Sequence, residues 1–116
     1  MTRQILFLIT SDPRVSAKPA EAVRIAAGIA VGMRIRVAVC FHDAAVAALS
    51  TEAAELIDGE NFARYLPLVG EAGVEGLVVN KTSNRVGLQV ETFRTREISD
   101  EELAEVALAS DCVVRF

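Results

Sequence analysis

Short runs of apolar residues, each ended by polar residues, recur along the chain. Within a run the apolar residues are continuous rather than alternating, as in "ILFLI" at residues 5–9. A continuous run is typical of a strand that is covered on both faces in a parallel sheet. The pattern predicts five strands: "RQILFLITSD" with a turn beginning at Ser11, residues 34–41, residues 74–79, residues 87–95, and "DCVVRF" at residues 111–116.

Helical segments separate these strands. "AKPAEAVRIAAGIAVG" at residues 17–32 is apolar nearly all round, which is typical of a helix buried on more than one side. A short helix is predicted in "HDAAVAAL", and a helix at residues 60–72 contains Pro67, which should kink or divide it. Ser99 and Glu102 form a capping-box pattern, so the last helix should run from about Asp100 to Ala109.

The alternation of strands and helices predicts a single α/β domain that spans residues 1–116. Right-handed crossovers between parallel strands put helices on both faces of the sheet. The predicted architecture is therefore a three-layer α/β/α domain with a five-stranded parallel sheet.

Aromatic residues make up only 5% of the chain and Trp is absent, although 52% of the residues are hydrophobic. The core must therefore be built mostly from small and aliphatic side chains, each of which buries little area. Together with the mean hydropathy of +0.35, this composition predicts further apolar surface buried between the subunits of a homo-oligomer or hetero-oligomer.

The formal net charge of −4 argues against a broad nucleic-acid-binding surface, which needs a basic face. The apolar run at residues 5–9 is too short for a membrane span or a secretory signal. We therefore expect no direct nucleic-acid binding and no membrane association. We expect a cytoplasmic protein in which Cys40 and Cys112 are reduced thiols.

Ligands of parallel α/β sheets bind beyond the carboxyl ends of the strands. After the first strand, the backbone N–H groups around Ser11 and Asp12 could bind an anion, although turn formation alone explains these residues. The stretch after the third strand could hold a small anion or could be an ordinary polar connection. Its hydrogen-bond donors are Asn80, Lys81, Thr82 and Arg85.

Cys40 and His42 are candidate catalytic residues near the end of the second strand. An imidazole beside a thiol can activate it, and His42 could transfer protons. The alternative is a buried apolar Cys40 and a hydrogen-bonded His42 at the sheet edge. Cys112 is predicted to lie in the core. One His and two Cys at these spacings match no metal motif, and no phosphate-binding glycine motif is present, so we predict neither metal nor cofactor.

Four stretches, in order along nearly the whole chain, resemble the DsrE/DsrF-like family, which includes the subunits of the TusBCD sulfur-relay complex. They are "ILFLITSDP" with the Ala-rich helix after it, "VAVCFHDAAVAAL", "AGVEGLVVN" and the ending "LASDCVVRF". The resemblance implies a DsrEFH-like domain that assembles into oligomers. It also implies transfer of a sulfane sulfur, held as a cysteine persulfide, to a partner protein.

The persulfide cysteine of this family lies at the end of the third strand, where this chain has Val79 or Asn80. Neither residue can hold a persulfide, because the transfer needs a thiolate. We therefore predict a sulfur-relay-type or accessory subunit that acts through oligomerisation and partner binding rather than as an enzyme. The alternatives are a sulfurtransferase that uses Cys40 and a ligand-binding module at residues 80–85.

Overall fold

A five-stranded parallel sheet forms the centre of the protein, in the strand order β4-β3-β2-β1-β5. The computed structural model describes residues 3–32, 35–50, 52–79 and 93–116. None of the helices in these ranges is long and apolar enough to cross a membrane. The elements are β1 (Gln4–Ile9), α1 (Lys18–Gly32), β2 (Arg36–His42), 3₁₀ segments at Asp43–Leu49 and Ala53–Glu55, α2 (Glu60–Glu71), β3 (Glu75–Val79), β4 (Thr95–Glu97), α3 (Asp100–Ala109) and β5 (Cys112–Arg115).

The direction in which the chain crosses the sheet decides which face each helix covers. β1, β2 and β3 follow one another in one direction, whereas the chain returns from β4 to place β5 on the far side of β1. Crossovers in parallel sheets are right-handed, so a reversal of direction moves the connecting helix to the opposite face. α1 and α2 pack on the first face and α3 packs on the second. The predicted three-layer α/β/α architecture is confirmed.

The first face contains the larger part of the core. Phe7, Val39 and Phe41 project from the central strands into a cluster with the apolar side chains of α1 and α2. Small side chains let α1 approach the sheet closely, as close packing requires. The buried residues of α1 are Pro19, Ala20, Ala22, Val23, Ala26 and Ala27.

The second face has a smaller core that is covered by α3. Leu103, Val106 and Ala107 of α3 are only partly buried against it, and no residue of this fully described helix is buried. α3 therefore packs on this face of the sheet while its side chains stay partly exposed to solvent. The buried residues of this second-face cluster are Leu6, Ala38, Cys40, Leu77, Val79 and Ile98.

The helix that contains Pro67 is continuous. α2 runs without interruption from Glu60 to Glu71, so the predicted division at Pro67 does not occur, and the alternative of a kink there stays a prediction. Phe62, Leu66 and Val69 are buried along one side of α2. Their burial against the core stabilises the helix and offsets the hydrogen bond that Pro67 cannot donate.

The fourth strand lies later in the chain than predicted. β4 covers Thr95–Glu97, so only Thr95 of the predicted strand at residues 87–95 belongs to it, and residues 87–92 lie outside the described residues. Phe93 is buried although it is not part of a strand, and its ring lies edge-on to Phe41 at a centroid distance of 6.4 Å. At Phe93 the apolar pattern reflects a core contact rather than a strand.

The predicted last helix is confirmed together with its cap. Ser99 Oγ accepts the backbone N–H of Glu102 at 3.1 Å, and Glu102 Oε1 accepts the backbone N–H of Ser99 at 3.2 Å. This reciprocal pair satisfies two donors that the first turn of a helix otherwise leaves unpaired. The cap therefore fixes where α3 begins.

Gly76 in β3 allows the segment before β4 to pack against the sheet. A Cβ atom at this position would lie 2.6 Å from the carbonyl oxygen of Arg94 and 2.7 Å from Cζ of Phe93. Both distances are far shorter than van der Waals contact, and one of the two atoms belongs to the backbone. The absence of a side chain at Gly76 therefore sets how closely Phe93 approaches β3.

We expect Gly76→Ala to lower the free energy of unfolding by about 1–3 kcal/mol, because the added methyl group overpacks this contact. Gly28→Ala is the matched control, since a Cβ atom at this position in α1 would meet nothing within 4 Å. The control should gain about 0.5–1 kcal/mol from the higher helix propensity of Ala. Urea denaturation followed by circular dichroism measures both variants. Wild-type stability in Gly76→Ala would contradict the packing described.

Candidate functional site at the carboxyl edge of the sheet

The carboxyl ends of the central strands and the start of α3 meet at one edge of the sheet. β2 ends at His42 and β3 ends at Val79, and these two residues are paired. Asp100, the first residue of α3, reaches the same place, because its Oδ1 lies 3.2 Å from His42 Nε2. Parallel sheets bind their ligands at this edge, which makes it the candidate site of the protein.

The strand order reverses between β1 and β5, a position at which parallel sheets often form a ligand crevice. In this protein the residues that follow β1 and β5 are joined directly by hydrogen bonds. The carbonyl oxygen of Phe116 accepts the N–H groups of Thr10 at 2.8 Å and Ser11 at 3.2 Å. Arg115 Nε also donates to Thr10 Oγ1 at 3.3 Å, and the rings of Phe116 and Phe7 are 5.8 Å apart. These contacts occupy the place where a ligand would enter.

The turn after β1 uses several of its backbone donors within the protein. The carbonyl oxygen of Asp12 accepts the N–H groups of Val15 at 3.1 Å and Ser16 at 3.0 Å. The carboxylate of Asp12 accepts the N–H of Arg14 at 2.9 Å. An anion at Ser11 and Asp12 would have to compete with these bonds, and this binding site stays a prediction.

Asp12 itself supplies negative charge to the turn. Its carboxylate accepts a hydrogen bond from Arg14 Nε at 3.0 Å, and this bond lowers the pKa of Asp12 below its usual value. The carboxyl group is therefore ionised at neutral pH. Its charge opposes the binding of a second anion at the same turn.

His42 lies between two carboxylates. Its Nδ1 is 3.2 Å from Oδ2 of Asp43, and its Nε2 is 3.2 Å from Oδ1 of Asp100. The side chain of His42 is only 23% exposed. Asp43 has a φ of 51°, in the left-handed region that Asp tolerates better than most residues. The imidazole therefore joins the end of β2 to the first residue of α3.

Both ring nitrogens of His42 face acceptors of the protein. A general base needs an unprotonated nitrogen that faces its substrate. A neutral imidazole can donate to only one of the two carboxylates, whereas the imidazolium donates to both. The catalytic role of His42 stays a prediction, and the contacts observed are those of a structural link.

Cys40 lies two residues before His42, on the same side of β2, and is fully buried. Burial raises the pKa of the Cys40 thiol to about 11, and the nearby charge of Asp100 adds to this shift. At neutral pH the thiol is protonated and shielded from solvent, whereas a reactive cysteine is a partly exposed thiolate. The neighbouring imidazole does not activate Cys40 in this conformation.

The prediction that Cys112 lies in the core is wrong, because Cys112 is exposed. β5 is an edge strand that pairs only with β1 among the described strands. A continuous apolar run predicts a strand of a parallel sheet but does not show whether that strand lies at the edge. The exposure of Cys112 follows from the strand order.

The end of β3 contains a buried valine. The Val79 side chain is 2% exposed and packs in the second-face cluster with Cys40. The predicted ligand-binding residues after it lie outside the described residues, so this hypothesis stays a prediction; they are Asn80, Lys81, Thr82 and Arg85. Within the described ranges, no group of three or more His, Cys, Asp or Glu residues is arranged to hold a metal ion.

The sequence shows Asp43 as a polar neighbour of His42 but gives no sign that Asp100 contacts this ring. Asp100 is 58 positions away. The capping box placed Asp100 at the start of a helix, but only the packing of α3 on the second face brings it to His42.

Comparisons with known proteins support the fold. No protein-family model matches the chain, and no curated protein matches its sequence. The crystal structure of the YchN protein from E. coli matches with a TM-score of 0.74 over 100% of both chains, at 15% sequence identity. YchN has a DsrEFH-like fold. The present chain has the same DsrEFH-like fold.

The protonation of Cys40 predicts a loss of stability at high pH. Since the pKa of this thiol is raised from 9.0 to about 11 on folding, the stabilisation is present below pH 9 and is lost as the pH rises towards 11. Between these values the free energy of unfolding should fall by up to about 2–3 kcal/mol more in the wild type than in Cys40→Ala.

Urea denaturation under reducing conditions at a series of pH values measures this difference. The two proteins share every other side chain, so the remaining effects of pH cancel in the comparison. Parallel pH profiles for the two proteins would contradict the burial of a protonated Cys40.

Proposed function

We propose that this protein is a cytoplasmic accessory subunit of the sulfur-relay type, which acts through oligomerisation and partner binding and does not itself hold a persulfide. The proposal starts from the DsrEFH-like fold, which covers the whole chain. The observation that carries it is the residue at the end of β3. A buried Val79 stands there, and a valine has no group that can attack or release sulfur.

The cysteines of the chain give a persulfide-carrying role little support. Cys40 is fully buried with a raised pKa, so the folded protein presents no thiolate at this position at neutral pH. Cys112 is exposed, but it lies at the start of the edge strand β5, at the end of the sheet opposite to the candidate site. A sulfurtransferase that uses Cys40 is therefore the less favoured function.

Exposed apolar side chains support the oligomeric part of the proposal. Leu108 on α3 is 88% exposed, Val15 after β1 is 77% exposed and Val31 at the end of α1 is 67% exposed. Single exposed apolar residues are common on monomers. Because only 5% of the residues are aromatic, however, the core of one chain buries little area, and apolar surface buried between subunits would add to the stability of the fold.

We expect no sulfur transfer to the wild-type chain when it is incubated with a cysteine desulfurase and cysteine. Intact-mass spectrometry under non-reducing conditions should show no adduct with the mass of one sulfur atom. Val79→Cys is the matched variant, because Val79 is one of the two positions, with Asn80, at which the resemblance places the cysteine of the family. A stoichiometric adduct on the wild type that disappears in Cys40→Ala would contradict the proposal.

Light scattering coupled to size exclusion tests the assembly. We expect a mass that is a multiple of the 12.4 kDa chain at concentrations of about 10 μM, because apolar surface is buried between subunits. A mass of 12.4 kDa under these conditions would contradict the prediction of a homo-oligomer. In that case the accessory role would require a different subunit.

A further inference from the structure

The two edge strands of the sheet differ in composition. β4 has charged residues at two of its three positions, Arg96 and Glu97, and both are exposed. β5 begins with three apolar residues in succession, and the first two of them, Cys112 and Val113, are exposed. Charged side chains protect a sheet edge from pairing with another strand, whereas an exposed apolar edge favours such pairing. β5 is therefore the edge of the sheet at which a further strand is favoured.

Pairing with β1 uses only one side of the backbone of β5. The N–H of Phe116 donates to the carbonyl oxygen of Leu8 at 2.9 Å. Backbone groups alternate in direction along a strand, so Val114 also directs its N–H and C=O groups towards β1. The N–H and C=O groups of Val113 and Arg115 therefore point away from β1. Among the described strands, β1 is the one partner of β5, so these outward groups have no strand to pair with.

Three side chains of this segment lie on the second face of the sheet. Val113 is paired with Leu6 of the second-face cluster, so its side chain projects to that face, and it is 44% exposed. Asp111 and Arg115 lie two residues to either side of Val113, on the same face, and both are exposed. The edge therefore presents an acidic, an apolar and a basic side chain in this order, spaced evenly about Val113.

Each of the two charged residues has one contact within its own chain. Asp111 Oδ2 accepts the backbone N–H of Gln4 at 2.8 Å, and Arg115 Nε donates to Thr10 Oγ1 at 3.3 Å. Oδ1 of Asp111 and the two terminal nitrogens of Arg115 make no hydrogen bond to a described residue. Both side chains therefore have groups left with which to bind a residue of opposite charge.

An antiparallel copy of the same strand matches this edge. Residues whose outward backbone groups face each other in an antiparallel pair exchange two hydrogen bonds. With Val113 opposite Val113 of a second copy, Asp111 of each copy lies opposite Arg115 of the other. A shift of two residues in either direction puts a charged residue opposite Val113 and separates the opposite charges, which are the pairs that stabilise a sheet. Charge complementarity therefore favours a second copy of the chain, in the register centred on Val113.

We propose that β5 is a docking edge for a second copy of this chain, in which two β5 strands pair antiparallel about a two-fold axis at Val113 and join the two sheets into one. On the first face, Cys112 of each copy lies opposite Val114 of the other, so apolar side chains meet there as well. Such an interface uses the same residues of both copies, as two-fold symmetry requires. The inference names a surface for the oligomerisation in the proposed function and rests on that function.

A proline at Val113 tests the central hydrogen bonds. The N–H of Val113 points away from β1, so Val113→Pro removes an outward donor and keeps the ladder to β1. Glu97→Pro is the matched control at the other edge: Ile98 N–H donates to β3 at 2.8 Å, so the N–H of Glu97 points outward. Sedimentation equilibrium should show a dissociation constant raised about 100-fold in Val113→Pro and less than about 3-fold in the control. An unchanged constant in Val113→Pro would overturn the proposal.

Exchange of the two charges tests the register and does not need a proline. Within one chain Asp111 and Arg115 are about 13 Å apart along the strand, too far for a direct contact. We expect Asp111→Lys and Arg115→Glu each to raise the dissociation constant about 5- to 10-fold, and the double variant to return to within about 3-fold of the wild type. The double variant also lacks both contacts within the chain, so only matching between copies restores its affinity. Losses that add in the double variant would overturn the register.

A disulfide locates the two-fold axis. Val113→Cys in the Cys112→Ser chain places two thiols opposite each other in a hydrogen-bonded pair, with Cα atoms about 5.5 Å apart, within the range of a disulfide. In the wild type the two Cys112 residues lie diagonally, about 7–8 Å apart, which is beyond easy reach. With copper phenanthroline as oxidant, we expect covalent dimers to form much faster in the Val113→Cys chain. Faster cross-linking of the wild type would overturn the register.

The mass of the assembly separates this inference from the proposed function. A wild-type chain that is monomeric at about 10 μM would contradict both the oligomerisation and the pairing of β5. A wild-type oligomer that stays intact in Val113→Pro would contradict the pairing alone, because the assembly would then use another surface. An oligomer that dissociates to smaller species in Val113→Pro and stays intact in Glu97→Pro is the expected result. Urea denaturation verifies that both variants are folded.

Discussion

A parallel sheet has two apolar faces, and both must be covered for it to exist in water. This requirement, combined with the right-handedness of crossovers, determines much of the present structure. The first connections move the chain in one direction and place α1 and α2 on one face. The return to β5 on the far side of β1 places α3 on the other face, as the one helix there among the described residues. The unequal coverage follows from the strand order.

The same strand order brings the polar residues at the carboxyl edge together, and most of them contact one another. Phe116 and Thr10 bridge the ends of β1 and β5, and Asp12 binds Arg14 within its own turn. His42 contacts Asp43 and Asp100. Among the described residues, these polar groups of the edge are therefore held in contacts within the protein.

Local patterns predicted the elements whose causes are local. The strands β1, β2 and β3, the Ala-rich helix and the cap at Ser99 each depend on residues that are close together in sequence, and these predictions are confirmed. A division of α2 at Pro67 and the burial of Cys112 were predicted wrongly, because both depend on contacts between residues that are distant in sequence. The buried residues Phe62, Leu66 and Val69 pack one side of α2 against the core, and this packing stabilises the helix around Pro67. The strand order leaves Cys112 in an edge strand. Asp100 was missed as a partner of His42 for the same reason.

The unequal coverage of the two faces affects how firmly α3 is attached to the sheet. The buried thiol of Cys40 lies under α3, which has no buried residue of its own, and His42 contacts the first residue of that helix. Native-state hydrogen exchange tests the opening of this helix most directly, by comparing amides of α3 with amides of α1 as urea is raised from zero. We expect α3 to exchange through local opening, with a lower free energy and little dependence on urea, while α1 exchanges only by global unfolding. Exchange of both helices with the same free energy and the same urea dependence would contradict the weaker attachment of α3.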